Sequence, residues 1–159
     1  MTRDGAADFA SHPFVRGLAA EHVAQLAARA DQVEIGAGQR IFDEDADARG
    51  LWLICSGRVA LDLQVPGRHR VVVETLGPGD ELGLSWLAPV PRWQFGAIAQ
   101  LDVIAYTMAS ESVLALCDAD RELGYLLTRR LLTTAISRLH AARIRILDLY
   151  AAPGPERRP

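Results

Sequence analysis

The chain carries only two cysteines in 159 residues. Cys55 and Cys117 lie far apart, each in an apolar setting and outside any paired spacing. They read as buried thiols rather than a bridge or a metal pair, which suits a reducing compartment. No apolar run approaches the ~18 residues of a membrane span. The opening MTRDGAADFASHPF has no apolar signal core. A soluble, cytoplasmic protein is therefore expected. His12, His22, His69 and His140 lack metal-ligand spacing. The acidic run Asp43, Glu44, Asp45 and Asp47 lacks the glycine and the closing glutamate of a calcium loop, so it reads as a solvated loop. No nucleophile sits in a pattern with a base, which argues against an enzyme. A net charge of −3 and a pI near 5.8 give no broad attraction for nucleic acid.

What is present is an ordinary globular composition, half hydrophobic, in a length that fits one domain with a real core. Residues 1–10 read as a flexible leader. Helical patterning begins at Ser11, and residues 20–30 form a second short helix with Val23, Leu26 and Ala27 on one face. From Gln32 the period changes to two. Strands are predicted at Val33–Ile35 and at Arg40–Phe42. Residues 51–65 read as two strands turned at Ser56-Gly57, a tight hairpin. Pro66 to Arg70 is a further turn, then VVVETL is a strand. Residues 97–108 read as a strand pair turned around Gln100 to Asp102. Short strands with turns this frequent imply an antiparallel sandwich or barrel.

Ser110 is a candidate N-cap for the helix that follows. Residues 121–150 then form one long helix. Leu132, Ala135, Leu139, Ala142, Ile146 and Leu149 recur three and four apart along it, with Tyr125 seven residues before Leu132. That is a seam for a partner helix, and it predicts a homodimer. Arg129, Arg130, Arg138, Arg143 and Arg145 read as the solvated face of the same helix. Residues 151–159, AAPGPERRP, are breaker-rich and are read as a disordered tail.

Residues 76–99, LGPGDELGLSWLAPVPRWQFGAIA, organise the rest. A Gly-bounded turn feeds a short helix at Leu84 to Leu87, with Arg92 close behind. Helix-start amides and one guanidinium make an anion pocket. Its candidate residues are Gly83, Leu84, Ser85, Trp86, Arg92 and Trp93. Ser85 either donates to a ligand or caps the helix. Arg92 either grips an anion, lies on the surface, or pairs with Glu81 or Asp80. Trp86 and Trp93 either stack on a flat ligand or fill the core or the pocket. Asp80 orders its own turn.

The order of elements resembles the cyclic nucleotide-binding domain superfamily, in the form of the catabolite activator-like effector domain. LWLICSGRVAL is similar to its I-x-x-G-x-V segment, and LGPGDELG to its L-x-x-G-D-x-F-G lead. The likeness covers Phe14 to Tyr150. GLSWLAPVPRW resembles a stand-alone bacterial subset with an SWL cassette and no DNA-binding domain. The resemblance implies an α+β fold: an antiparallel double-stranded β-helix, a jelly-roll-like β-roll over residues 11–120, flanked by N-terminal helices and a long dimerising C-terminal helix. It implies that short-helix amides and an arginine hold a cyclic phosphate, and that a glutamate after the second glycine holds a ribose. Leu84 stands at that glutamate position, and the spacing to Arg92 is about one residue short. The resulting expectation is a regulatory sensor of a small anionic effector such as cyclic AMP, with no metal, membrane or DNA. A protein partner is a further expectation. Its rivals are a dimeric interaction protein with a degenerate pocket, and a transcription regulator lacking its own DNA-binding domain.

Overall fold

The computed structural model describes residues 9–67 and 69–151, with side chains as far as residue 148. Residues 1–8 of the expected leader and 152–159 of the expected tail lie outside the described residues. Phe9 and Ala10, assigned to the leader from sequence, are helical. Phe9 is fully buried and meets the edge of Tyr106 at 5.1 Å between centroids. The first helical segment therefore starts before Ser11.

Helix α1 (Ala20–Ala27) leads into the sheet and ends short of the expected Ala30. Strands β1 (Asp31–Ile35), β2 (Arg40–Phe42), β3 (Gly50–Leu63), β4 (Val71–Leu76), β5 (Glu81–Leu82) and β6 (Gly96–Ala109) form one antiparallel sheet in the order β1-β6-β3-β4. β2 adds to β6, and β5 adds to β3. Helices α2 (Ser110–Ala119) and α3 (Arg121–Ala151) close the chain.

Two predicted hairpins are not there. β3 and β6 are each a single 14-residue strand, paired from Gly50↔Ala109 to Asp62↔Gly96. The register slips between Ile54 and Val59. Gly57 takes φ 88° there, and a Cβ on it would lie 2.1 Å from the carbonyl oxygen of Asp102. The positive φ that reads as a turn in sequence is spent on a bulge. The bulge divides this double strand. One half pairs with β1 and β5, the other with β2 and β4. That division is what rolls the sheet.

The apolar interior has two parts. Ile54, Val59, Leu61, Leu76, Leu82, Val103 and their neighbours fill the roll. Phe14, Leu51, Leu53, Tyr106, Leu123 and Leu127 join the roll to the helices.

Ser110 is the first helical residue rather than a cap, since no side chain caps α2. The cap at the next junction is Asp120. Its Oδ1 accepts from the amides of Glu122 and Leu123, each at 3.0 Å, and so starts α3. His22 Nε2 sits 3.1 Å from the other oxygen of Asp120, tying α1 to that start.

α3 is 31 residues long, about 46 Å at ~1.5 Å per residue. Three of its supposedly solvated arginines turn back onto the body of the domain. Arg130 donates to the carbonyl oxygens of Pro13, Phe14 and Arg16. Arg138 donates to the carbonyl of Glu81, and Arg145 to that of Val73 at 3.1 Å. They recur about two turns apart, so one helix face is fastened along its length. Among the described residues no helix is long and apolar enough to cross a membrane.

Candidate functional site

The turn into the central segment is built as the sequence implies. Asp80 Oδ2 accepts from the amide of Gly77 at 2.7 Å, and the Gly79 amide donates to the Ile54 carbonyl at 2.8 Å. After β5 comes Gly83 at φ 95°. A Cβ here would lie 2.7 Å from the Gly50 carbonyl and 3.1 Å from the ring of Trp93. Only glycine meets both demands. A single 3₁₀ turn, Ser85–Leu87, follows with no side-chain cap. The capping alternative for Ser85 thus fails: Ser85 lies inside the turn, and Leu84 precedes it.

The six candidate residues separate into two groups. Gly83, Leu84, Ser85 and Trp93 line a cavity of about 470 Å³, a volume in the range of small-molecule sites. Trp86 and Arg92 do not line it. Trp86 is 5% exposed and packs in the core that joins roll and helices. Its indole Nε1 has no acceptor among the described residues. Trp93 is 4% exposed and stacks on Phe42 with centroids 4.0 Å apart. Trp93 forms part of the floor.

Arg92 points elsewhere. Its side chain is 57% exposed, with Nη1 donating to the Asp45 carbonyl at 2.5 Å and Nη2 4.0 Å from Asp47. The main chain enforces this. Asp45 N donates to Trp93 O, Trp93 N to Ala46 O, and Ala48 N to Pro91 O, all at 2.8–2.9 Å. The loop read as merely solvated is a short ladder partner for residues 91–93. Asp43 and Glu44 anchor its other side, on Arg40 and Arg70 and on the Gln64 amide. The predicted pairing of Arg92 with Glu81 or Asp80 is not formed; its acidic partner is Asp47.

The far wall of the cavity comes from α3: Ala135, Arg138, Leu139 and Ala142. Glu74 of β4 and Phe95 complete the rim. Arg138 is the cavity's basic side chain. It is 19% exposed, and its Nε lies 3.6 Å from Glu74 Oε1. From sequence Arg138 reads as solvated, and Ala135, Leu139 and Ala142 read as part of a seam for a partner helix. The available signal was the size of Ala135 and Ala142. Two alanines seven apart on a helix leave room beneath them, whereas a tight seam is filled by larger side chains.

Two shifted titrating groups lie outside the cavity. Asp120 is held below the usual carboxylate range, first by the Leu123 amide and then by the charge of His22. The Cys117 thiol is pushed up, first by burial and then by Asp118. Among the described residues neither cysteine is in a disulfide bridge. Among the described residues no cluster of ligating side chains could hold a metal ion.

An antiparallel roll with a Gly-Asp turn, a one-turn helix and a helical roof defines a class. The family model for the cyclic nucleotide-binding domain matches residues 32–120, and the chain belongs to that family. No curated protein sequence matches it. Solved structures do. A cyclic nucleotide-binding domain from Methylobacillus flagellatus KT superposes with a TM-score of 0.81 at 16% identity, over 96% of this chain and 87% of that one. The sensor domain of the transcriptional regulator DNR from Pseudomonas aeruginosa gives 0.70 at 18% identity, over 87% and 93%. The Thermus thermophilus catabolite activator protein gives 0.69 at 28% identity, over 87% of this chain but 63% of that protein.

Proposed function

We propose that the protein is a regulatory sensor whose small anionic effector occupies the cavity between the 3₁₀ turn and α3, and that α3 carries the response. One observation supports this above others. Residues of the segment expected to hold the ligand, Gly83 to Ser85, and residues of the long helix, Ala135 to Ala142, line the same space. A guest there touches the element that would signal. It can shift α3 only as far as it prefers one helix position over another. The effector is a cyclic nucleotide or another small anion. The signal passes to a second copy or to a protein partner through the exposed side of α3.

The test is thermal unfolding with a panel of anions that includes cyclic AMP and cyclic GMP. At about 100-fold excess over Kd, binding adds ~2.7 kcal/mol, a rise of roughly 5–10 °C for a chain of this size. At least one member raises Tm, and Ala142→Phe, which fills the cavity, abolishes the rise. An equal rise in Ala142→Phe would place the ligand elsewhere.

Leu84 at the ribose-binding position and Arg92 on the acidic loop favour a second reading, a dimeric interaction module that binds no nucleotide. A Tm unmoved by every member of the panel would select it.

A further inference from the structure

We infer that the effector is an organic acid with an apolar, flat body, and that its acid group is received by Arg138 in exchange for Glu74. The inference rests on the cavity being the effector site. Four features of the site lead to it.

The first is the lining. Apart from Arg138, Glu74, Ser85 and Gln94, the walls are carbon: chiefly Leu61, Leu82, Leu84, Phe95, Leu139 and the Phe42–Trp93 stack. A sugar brings hydroxyl groups that must keep hydrogen bonds when they leave water, and this wall supplies few. An aryl ring or a branched chain loses nothing there, and the aromatic side chains of Phe42, Trp93 and Phe95 give a ring apolar contact.

The second is the position of charge. Arg92, the cation expected from sequence, donates to Asp45 and lies outside the cavity. Arg138 reaches in from the opposite wall.

The third is how loosely Glu74 pairs with Arg138. The separation of Arg138 Nε from Glu74 Oε1 is 3.6 Å, against about 2.7–2.9 Å for a charged hydrogen bond. One amino group is committed to the Glu81 carbonyl. A free carboxylate can therefore meet the guanidinium with better geometry than Glu74 does. Glu74 lies at the end of the sheet order, on the outer strand β4, whose Val71 and Val72 are exposed. It can swing toward water.

The fourth is the consequence for the helix. Arg138 is the middle member of the three arginines that fasten α3. A ligand that takes hold of Arg138 acts directly on that fastening.

The experiment uses the full chain and calorimetric titration of 3-phenylpropionate, its neutral amide 3-phenylpropionamide, and cyclic AMP. The carboxylate binds, and the amide binds at least about tenfold more weakly, the loss of one charged hydrogen bond. Arg138→Gln weakens the carboxylate by about tenfold or more, and Glu74→Gln, which removes the competitor, tightens it by several-fold. Glu74→Gln also keeps the test alive if Arg138→Gln does not fold. Equal binding of acid and amide, or an affinity unmoved by Glu74→Gln, overturns the inference. Cyclic AMP binding that Ala142→Phe abolishes, with no binding of the carboxylate, overturns it while leaving the sensor reading standing. No binding of any of the three counts against both.

Discussion

Arg92 donates to the carbonyl oxygen of Asp45, a residue 47 positions earlier in the chain. The acidic loop thereby holds the cation that the family pattern would send toward a phosphate. Exposed pairs of this kind contribute at most about 1 kcal/mol. Arg92→Ala should leave effector affinity within about twofold of the parent by calorimetry, with Tm lowered by only a few degrees. A tenfold loss of affinity would return Arg92 to the site.

Gly57 carries the bulge on which the roll turns. Alanine there must adopt φ near 88° and place Cβ 2.1 Å from a carbonyl oxygen. Strain of that kind costs on the order of 2–3 kcal/mol or more once the strands shift to relieve it. Urea unfolding of Gly57→Ala should show a midpoint lowered accordingly, with the slope retained. A stability equal to the parent would mean that the bulge is not the hinge of the sheet.

Asp62 is a buried carboxylate held by two guanidinia. Arg40 Nη1 lies 2.9 and 2.8 Å from its oxygens, and Arg70 Nη1 lies 3.0 Å away. Gly96 lies close enough that a Cβ would come within 2.5 Å of Asp62 Oδ1. Asp62→Ala leaves two half-buried arginines with only the exposed Asp43, at 3.6 and 3.7 Å, at a cost of about 2 kcal/mol. Arg70→Ala leaves the Arg40 pair intact and should cost clearly less. Equal losses in the two variants would contradict the arrangement.

Asp120 links pH to the start of α3. Its folded pKa is depressed, first by the Leu123 amide, with the charge of His22 contributing after. The stabilisation is therefore present above the ordinary value of 3.8 and is lost as pH falls from there through the depressed folded value. The Tm gap between the parent and Asp120→Ala should be open near neutral pH and narrow as pH drops below 3.8. A gap independent of pH over that interval would show that the charge on Asp120 plays no part.

Leu132 and Ile136 are 57% and 58% exposed on α3, on a helix whose other face is fastened by arginines. A pairing of two copies along this stripe predicts that Leu132→Glu together with Ile136→Glu halves the mass measured by light scattering. A parent that is already monomeric at tens of micromolar would remove the dimer from the account.

Much of this was legible in the sequence because apolar periodicity and turn chemistry are local. The β-branched run at Val71, the Asp80 turn and the uninterrupted 121–150 pattern needed no tertiary knowledge. Gly57 was misread because a bulge and a hairpin ask for the same positive φ, and only the partner strand distinguishes them. The site divided along the same line. Gly83 to Ser85, which line the cavity, were legible in the sequence, since their spacing is local. Arg138 was not, since its contacts with Glu74 and Glu81 cross more than 50 positions of chain. Arg92 was misplaced because the ladder formed by Asp45, Ala46 and Ala48 with residues 91–93 leaves no mark in either segment alone.

The central claim is that a guest in the cavity is felt by α3. Amide hydrogen exchange across residues 131–145 tests it most directly, with and without a saturating ligand that Ala142→Phe fails to bind. The predicted result is a changed exchange rate along that segment, greatest around Arg138, with the β1–β6 ladder unchanged. A bound ligand that leaves exchange in α3 as it was would contradict the account.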